Sequence, residues 1–146
     1  MIWDLSLPLS ATTPVYPGNP PMAVAAVGEL ERDGVCSHSL TVSTHLGTHI
    51  DAPMHMLPGG SSLADFGVES FVGRGRVVGI ASADFREVLD LDLDGVDALL
   101  LRTGRSDHFE SDDYFTSYPA MSVEVAHRLA SSGLRMVGVD ACSFDN

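Results

Sequence analysis

The chain has 146 residues, of which 45% are hydrophobic and 19% charged, an ordinary balance for a folded protein and enough chain for one domain over residues 1–146. Its formal net charge of −12 would repel phosphate backbones and anionic membrane surfaces, so neither a nucleic-acid nor a membrane partner is expected. All 8 basic residues are arginine, which excludes a Schiff-base lysine, and 2 cysteines as far apart as Cys36 and Cys142 make neither a disulfide framework nor a zinc knuckle.

The opening Met1-Ile2-Trp3-Asp4 lacks the basic region and apolar run of a secretory leader. No apolar stretch approaches the roughly 18 residues of a membrane span, so a cytoplasmic protein is expected. Residues 2–6 read as a short strand. Pro8, Pro14, Pro17, Gly18, Pro20 and Pro21 then make an irregular arm. Trp3 and Tyr16 stand on this stretch as isolated aromatics, which more often pack than bind. Residues 22–27 form an apolar strand, 29–34 a polar turn, and 35–44 a second, longer strand. His38 falls on the Leu40 and Val42 side of that strand and reads as a core or interface histidine, not a ligand.

The second strand leads into His45-Leu46-Gly47-Thr48-His49-Ile50-Asp51-Ala52-Pro53-Met54-His55, which holds 3 of the 6 histidines. Imidazole and carboxylate are the usual ligands of zinc, manganese and similar ions. On a strand, His45, Gly47, His49 and Asp51 share one face, and the Cα atoms of His49 and Asp51 lie about 6.6 Å apart, close enough to share an ion. His45 and His49 would stand about 13 Å apart in an extended chain, which is too far. The backbone must therefore bend, and Gly47, with no Cβ, is the place where bending costs least. Pro53 cannot donate to a ladder, so sheet pairing is expected to stop there, with His55 on the loop beyond.

Pro58-Gly59-Gly60-Ser61-Ser62 is a turn; it lacks the Gly-Lys ending and the basic residues of a phosphate cradle. Residues 77–81 form a buried strand, and Asp84-Phe85-Arg86-Glu87 reads as a capping box opening a short helix to about residue 89. Asp90-Leu91-Asp92-Leu93-Asp94 lacks the later Glu and the glycine of a calcium loop and reads as a solvated turn. Residues 97–102 make an apolar strand central to a sheet, followed by Thr103-Gly104-Arg105 at its end, where α/β folds commonly meet ligands. Arg102 or Arg105 could contact a substrate carboxylate; either could equally be a surface ion pair. Ser122 caps a helix to about residue 132, with Val123, Ala126 and Ala130 on one face, His127 at its surface and Gly133 as its stop. Residues 136–140 are the last strand.

The pattern His-x-Gly-Thr-His-x-Asp-x-Pro-x-His resembles the signature of the metal-dependent cyclase hydrolases, the family of bacterial kynurenine formamidase. Asp4-Leu5-Ser6, Pro14-Val15-Tyr16-Pro17-Gly18-Asn19-Pro20, Leu101-Arg102-Thr103-Gly104 and Val137-Gly138-Val139-Asp140 resemble further landmarks of that family, in its order. One departure is Asn19, where relatives usually carry Asp. The resemblance implies an α/β fold: a mixed β-sheet, barrel-like swivelling β/β/α domain, here lacking the usual C-terminal portion. It implies a divalent metal, zinc or manganese, on His45, His49 and Asp51, with His55 as general base and then acid. It also implies a small amide substrate, an aryl formamide such as N-formylkynurenine, with Trp3, Tyr16 and Arg102 as candidate contacts. No Gly-x-Ser-x-Gly elbow offers a serine-hydrolase route to the same reaction.

Members of that family continue beyond the equivalent of Asp140 and add a further His and Glu to the metal site; no His or Glu follows Asp140 here. Three protein ligands suffice for one catalytic zinc but not for a two-metal centre, unless another chain supplies the rest. A last strand over residues 136–140 would also leave a sheet edge and an apolar face uncovered, so a homo-oligomer or a truncated longer enzyme is expected. The alternative is a degenerate or truncated member that acts as a metal- or ligand-binding oligomeric module without turnover.

Overall fold

Small and branched residues at 23–28 and 37–41 pair as an antiparallel hairpin, β1 (Ala23–Gly28) with β2 (Ser37–Thr41), in the register Ala23 to Thr41 and Ala26 to His38. A bulge separates Ala26 from Gly28. The strands are joined by one helical turn, α1 (Leu30–Asp33), which replaces the plain turn expected there. Gly34 ends it with φ +72°, its N–H donating to the Leu30 carbonyl at 3.0 Å.

The computed structural model describes residues 1–145, which divide into two units, 1–60 and 61 onward, at the predicted Pro58–Ser62 turn. In the first unit two expectations change. Residues 2–6 are not a strand: the Ser6 N–H donates to the Asp4 carboxylate at 2.9 Å and the Leu7 N–H to the Thr48 hydroxyl at 3.0 Å, so side chains take the donors a ladder would use. The ladder also ends at Thr41, well before Pro53. Beyond it Ser43 diverts the backbone, its carbonyl accepting from the Leu46 N–H and its hydroxyl from the His45 N–H. His38, on β2, is exposed and not a core residue.

The second unit is built on a parallel sheet ordered β3 (Gly75–Gly79), β4 (Ala98–Arg102), β5 (Met136–Val139), with β4 central as its apolar run predicts and β3 an exposed edge strand in place of the buried one expected at 77–81. Leu99 and Leu101 alternate onto one face of β4 and are fully buried against Ile80, Phe85, Val88, Leu93, Val125 and Leu129. Val125 and Leu129 come from α2 (Val123–Ala130), whose Ser122 cap accepts the Val125 N–H at 3.3 Å. The buried face is thus Val125 and Leu129, four residues apart; Val123, Ala126 and Ala130 face solvent, as does His127. No helix among the described residues is long and apolar enough to cross a membrane. Antiparallel and parallel sheets with short helices make the fold a mixed α/β one, as the resemblance implies.

The predicted capping box does not form. Asp84 instead accepts from Arg86 Nε and Nη2 at 2.9 and 2.7 Å, and a single 3-10 turn, Arg86–Val88, follows. Phe85 adopts φ +62°, a conformation that non-glycine residues rarely hold, and its complete burial outweighs that strain. Glu87 turns back on the chain, accepting the N–H groups of Ala81 and Ser82 at 2.9 and 2.7 Å together with the Ser82 hydroxyl. Asp140, just past β5, does the same for the loop after β4. It accepts the Thr103 N–H and hydroxyl at 2.6 and 2.7 Å and the Gly104 N–H at 2.9 Å, joining two sequence landmarks.

Leu99→Ala is expected to lower unfolding free energy by about 3 kcal/mol in urea titration, while the exposed edge substitution Val77→Ala stays within about 0.5 kcal/mol. The Ser82 hydroxyl bond, against the opposing effect of burial, holds the Glu87 carboxyl down to about 2 from its ordinary 4.5. A depressed folded-state value means a stabilisation fully present above pH 4.5 and lost as pH falls toward 2. Glu87→Gln should therefore flatten the acid limb of a stability-against-pH profile across that window.

Candidate metal centre

The metal-type donors of the first unit lie on the loop that follows β2. The chain turns through residues 44–48 and reverses at Gly47, where φ is +61°. The positive φ calls for glycine, and Leu9 Cδ2 packs into the space a side chain would take, 2.5 Å from where a Cβ at Gly47 would stand. The bend lies where the spacing argument puts it. Leu46, buried beside it, anchors the loop in the unit.

Around this bend His45 Nδ1 lies 2.8 Å from Asp51 Oδ1, and His49 Nε2 lies 3.5 Å from the same oxygen. One donor atom from each of the three residues falls within 4.8 Å of the others. Ligands held at about 2.0–2.2 Å around a tetrahedral zinc stand a little over 3 Å apart, so the observed spacings bracket those of a bound ion. His49 Nδ1 meets the Gly47 carbonyl oxygen at 2.8 Å. A carbonyl only accepts, so Nδ1 carries the proton and the Nε2 lone pair is left for an ion. Side-chain exposures of 31% for His45, 27% for His49 and 47% for Asp51 leave the donors reachable from solvent, with room for water or substrate beside them. Two imidazoles and a carboxylate suit one divalent ion.

His55 lies on the short 3-10 turn Pro53–His55, and its ring centroid is 3.9 Å from that of His45, with the planes tilted by 35°. The His49 ring meets His45 edge-on at 5.1 Å. His45 thus meets both other histidines of the motif, His45 and His49 converge on Asp51, and His38 on β2 stays outside the donor set.

The remaining candidates are placed separately. Trp3, 75% exposed, and Tyr16 stand on the N-terminal arm of the same unit. Arg102 closes β4 in the second unit with its side chain exposed. Arg105 resolves as the ion-pair alternative: Nη1 lies 3.5 Å from the Asp113 carboxylate, Nη2 donates to the Asp113 carbonyl at 3.0 Å, and the guanidinium sits 5.9 Å from the Tyr114 ring centroid. Sequence reasoning missed the Gly47 carbonyl as the partner of His49 and gave Thr48, although part of the motif, no partner. The first is detectable in principle, since a metal-binding histidine usually gives its second N–H to a nearby carbonyl. The second has no local signal, because the partner of Thr48 lies 41 residues away.

The Cyclase family, described as "Putative cyclase", matches residues 3–146. The chain is 34% identical to a kynurenine formamidase of Bacillus cereus, over 97% of this chain and 69% of that protein. It is 33% identical to a kynurenine formamidase of Bacillus anthracis over the same shares. A solved structure described as that of a potential metal-dependent hydrolase with cyclase activity superposes with a TM-score of 0.77 at 24% identity, covering 99% of this chain and 69% of the other. The chain thus spans about 69% of the length of these relatives.

Titration with zinc or cobalt, followed by calorimetry and bulk metal analysis, should give one ion per chain. Asp51→Ala should weaken that binding by about a hundredfold or more, and His38→Ala should leave it unchanged.

Proposed function

The chain belongs to the Cyclase family, and from that premise we propose that it hydrolyses a small amide, an aryl formamide of the N-formylkynurenine type. Water is the nucleophile, and His45, His49 and Asp51 would hold the divalent ion, zinc or manganese. The observation that carries this reading is the convergence of those donors at a bend, with a third imidazole ring, His55, 3.9 Å from that of His45. Kynurenine formamidases of Bacillus species are 33–34% identical to this chain over 69% of their length, which supports the choice of substrate class.

A divalent ion there would supply Lewis-acid chemistry, making water more acidic and polarising a carbonyl oxygen. His45 and His49 would serve it as imidazole ligands and Asp51 as a carboxylate that offsets its charge. The Gly47 carbonyl holds His49 in the tautomer that presents Nε2. His55, close to the donors without being one of the three, takes the proton from the attacking water and returns it to the departing aryl amine nitrogen. An imidazole can both take up and release a proton, which suits both transfers. Water adds to the formyl carbon, the carbon–nitrogen bond breaks, and formate and the free aryl amine leave. Trp3 and Tyr16, on the arm of the same unit, are assigned to contact the aryl ring.

The test is hydrolysis of an aryl formamide followed by absorbance, with zinc or manganese added and with both removed. Turnover should require the ion and disappear in Asp51→Ala. His55→Gln should keep the ion and lose about 10²–10⁴-fold in kcat. Tight metal binding by the wild-type chain with no turnover of any aryl formamide would overturn this reading and leave a binding module.

A further inference from the structure

The segment over residues 4–13 holds its shape largely with its own side chains. Asp4 accepts the Ser6 N–H, and the Thr13 hydroxyl accepts the Ser10 N–H at 2.8 Å and donates to the Pro8 carbonyl at 3.5 Å, while Thr13 itself is buried. Two contacts tie this prefolded arm to the metal loop. The Leu7 N–H donates to Thr48 Oγ1 at 3.0 Å, and Leu9 Cδ2 lies against the bare Cα of Gly47, at 2.5 Å from where a Cβ would be. Both contacts meet the two residues that flank one peptide unit, that between Gly47 and Thr48. The carbonyl of that same peptide accepts the His49 Nδ1 proton.

Resting on the metal reading above, we propose that the arm is a clamp for the metal loop and that Thr48 and Leu9 are positioning residues for His49. They hold the Gly47–Thr48 peptide from two sides, so that its carbonyl stays aimed at His49 Nδ1 and Nε2 stays free. A glycine with positive φ has few barriers to peptide rotation, and without the clamp its carbonyl would sample other directions. His49 would then lose its acceptor, and the other tautomer, with the proton on Nε2, would become populated. That tautomer has no lone pair to offer the ion from Nε2. The Thr48 bond is solvent-exposed and Leu9 is half-exposed, so neither contact carries the core of the unit.

Thr48→Val removes the acceptor at nearly constant shape, and Thr48→Ser restores it. Nitrogen-15 NMR of the histidine rings in metal-free protein should show His49 almost wholly as the Nδ1–H form in wild type and Thr48→Ser. A mixture of both forms is expected in Thr48→Val. Cobalt affinity should fall about tenfold in Thr48→Val and about threefold in Leu9→Ala, with a broadened visible band, and recover in Thr48→Ser. Near-UV circular dichroism checks that the variants fold, and Leu9→Ala stands in should Thr48→Val fail that check. The clamp is overturned if the folded variants keep both the wild-type tautomer and the wild-type affinity, or if Thr48→Ser behaves like Thr48→Val. Failure of the metal reading looks different: Asp51→Ala would then bind cobalt as wild type does, while the tautomer measurement would still report on the clamp.

Discussion

The candidate site depends on one backbone reversal. Four residues of extended chain would hold His45 and His49 about 13 Å apart, and no single ion spans that gap. At Gly47 the chain enters the left-handed region at φ +61°, and the two imidazoles then meet the same Asp51 oxygen at 2.8 and 3.5 Å. Everything chemical in the first unit follows from this turn. The His45 and His55 rings stack because residues 52–55 wind back in a 3-10 turn begun by Pro53, a residue suited to a first helical position. The dihedral at the bend calls for glycine, and one methyl of Leu9 packs against its bare Cα.

Drawing two imidazoles and a carboxylate together has an electrostatic logic. A carboxylate oxygen within hydrogen-bond distance of an imidazole nitrogen orients that ring, and the same carboxylate attracts a cation. The acidic balance of the chain, a formal charge of −12, adds a long-range field of the same sign, which gathers cations. Partial exposure of the donors keeps exchange with solvent open, which a catalytic ion needs and a structural one does not.

The second unit uses a comparable device without an ion. Asp140 and Glu87 each satisfy several donors at once with one carboxylate, closing loops at the ends of parallel strands. For Asp140, burial alone would push the carboxyl up, but the Thr103 hydroxyl and the N–H groups of Thr103 and Gly104 more than offset this and hold it below its ordinary value. The loop after β4 is therefore fixed by a residue that follows β5, and the apolar contacts of Leu99 and Leu101 keep the two strands in register.

Much was legible in the chain as written. The metal-type residues announce themselves by type and spacing, and the bend follows from simple strand geometry, because both are properties of a few consecutive residues. The hairpin strands, the apolar central strand and the serine-capped helix are legible for the same reason. What the residues alone could not reveal involves distant partners: the Leu7 N–H on Thr48, Leu9 on Gly47, Asp140 on Thr103, and Val125 with Leu129 as the buried helix face. Residues 2–6 look like a strand but have no strand beside them, and Phe85 holds an unfavourable φ because a core was there to receive its ring. Local pattern determines which conformations and ligands are possible; tertiary structure selects among them, because a hydrogen bond or a buried contact exists only once folding has brought its second partner near.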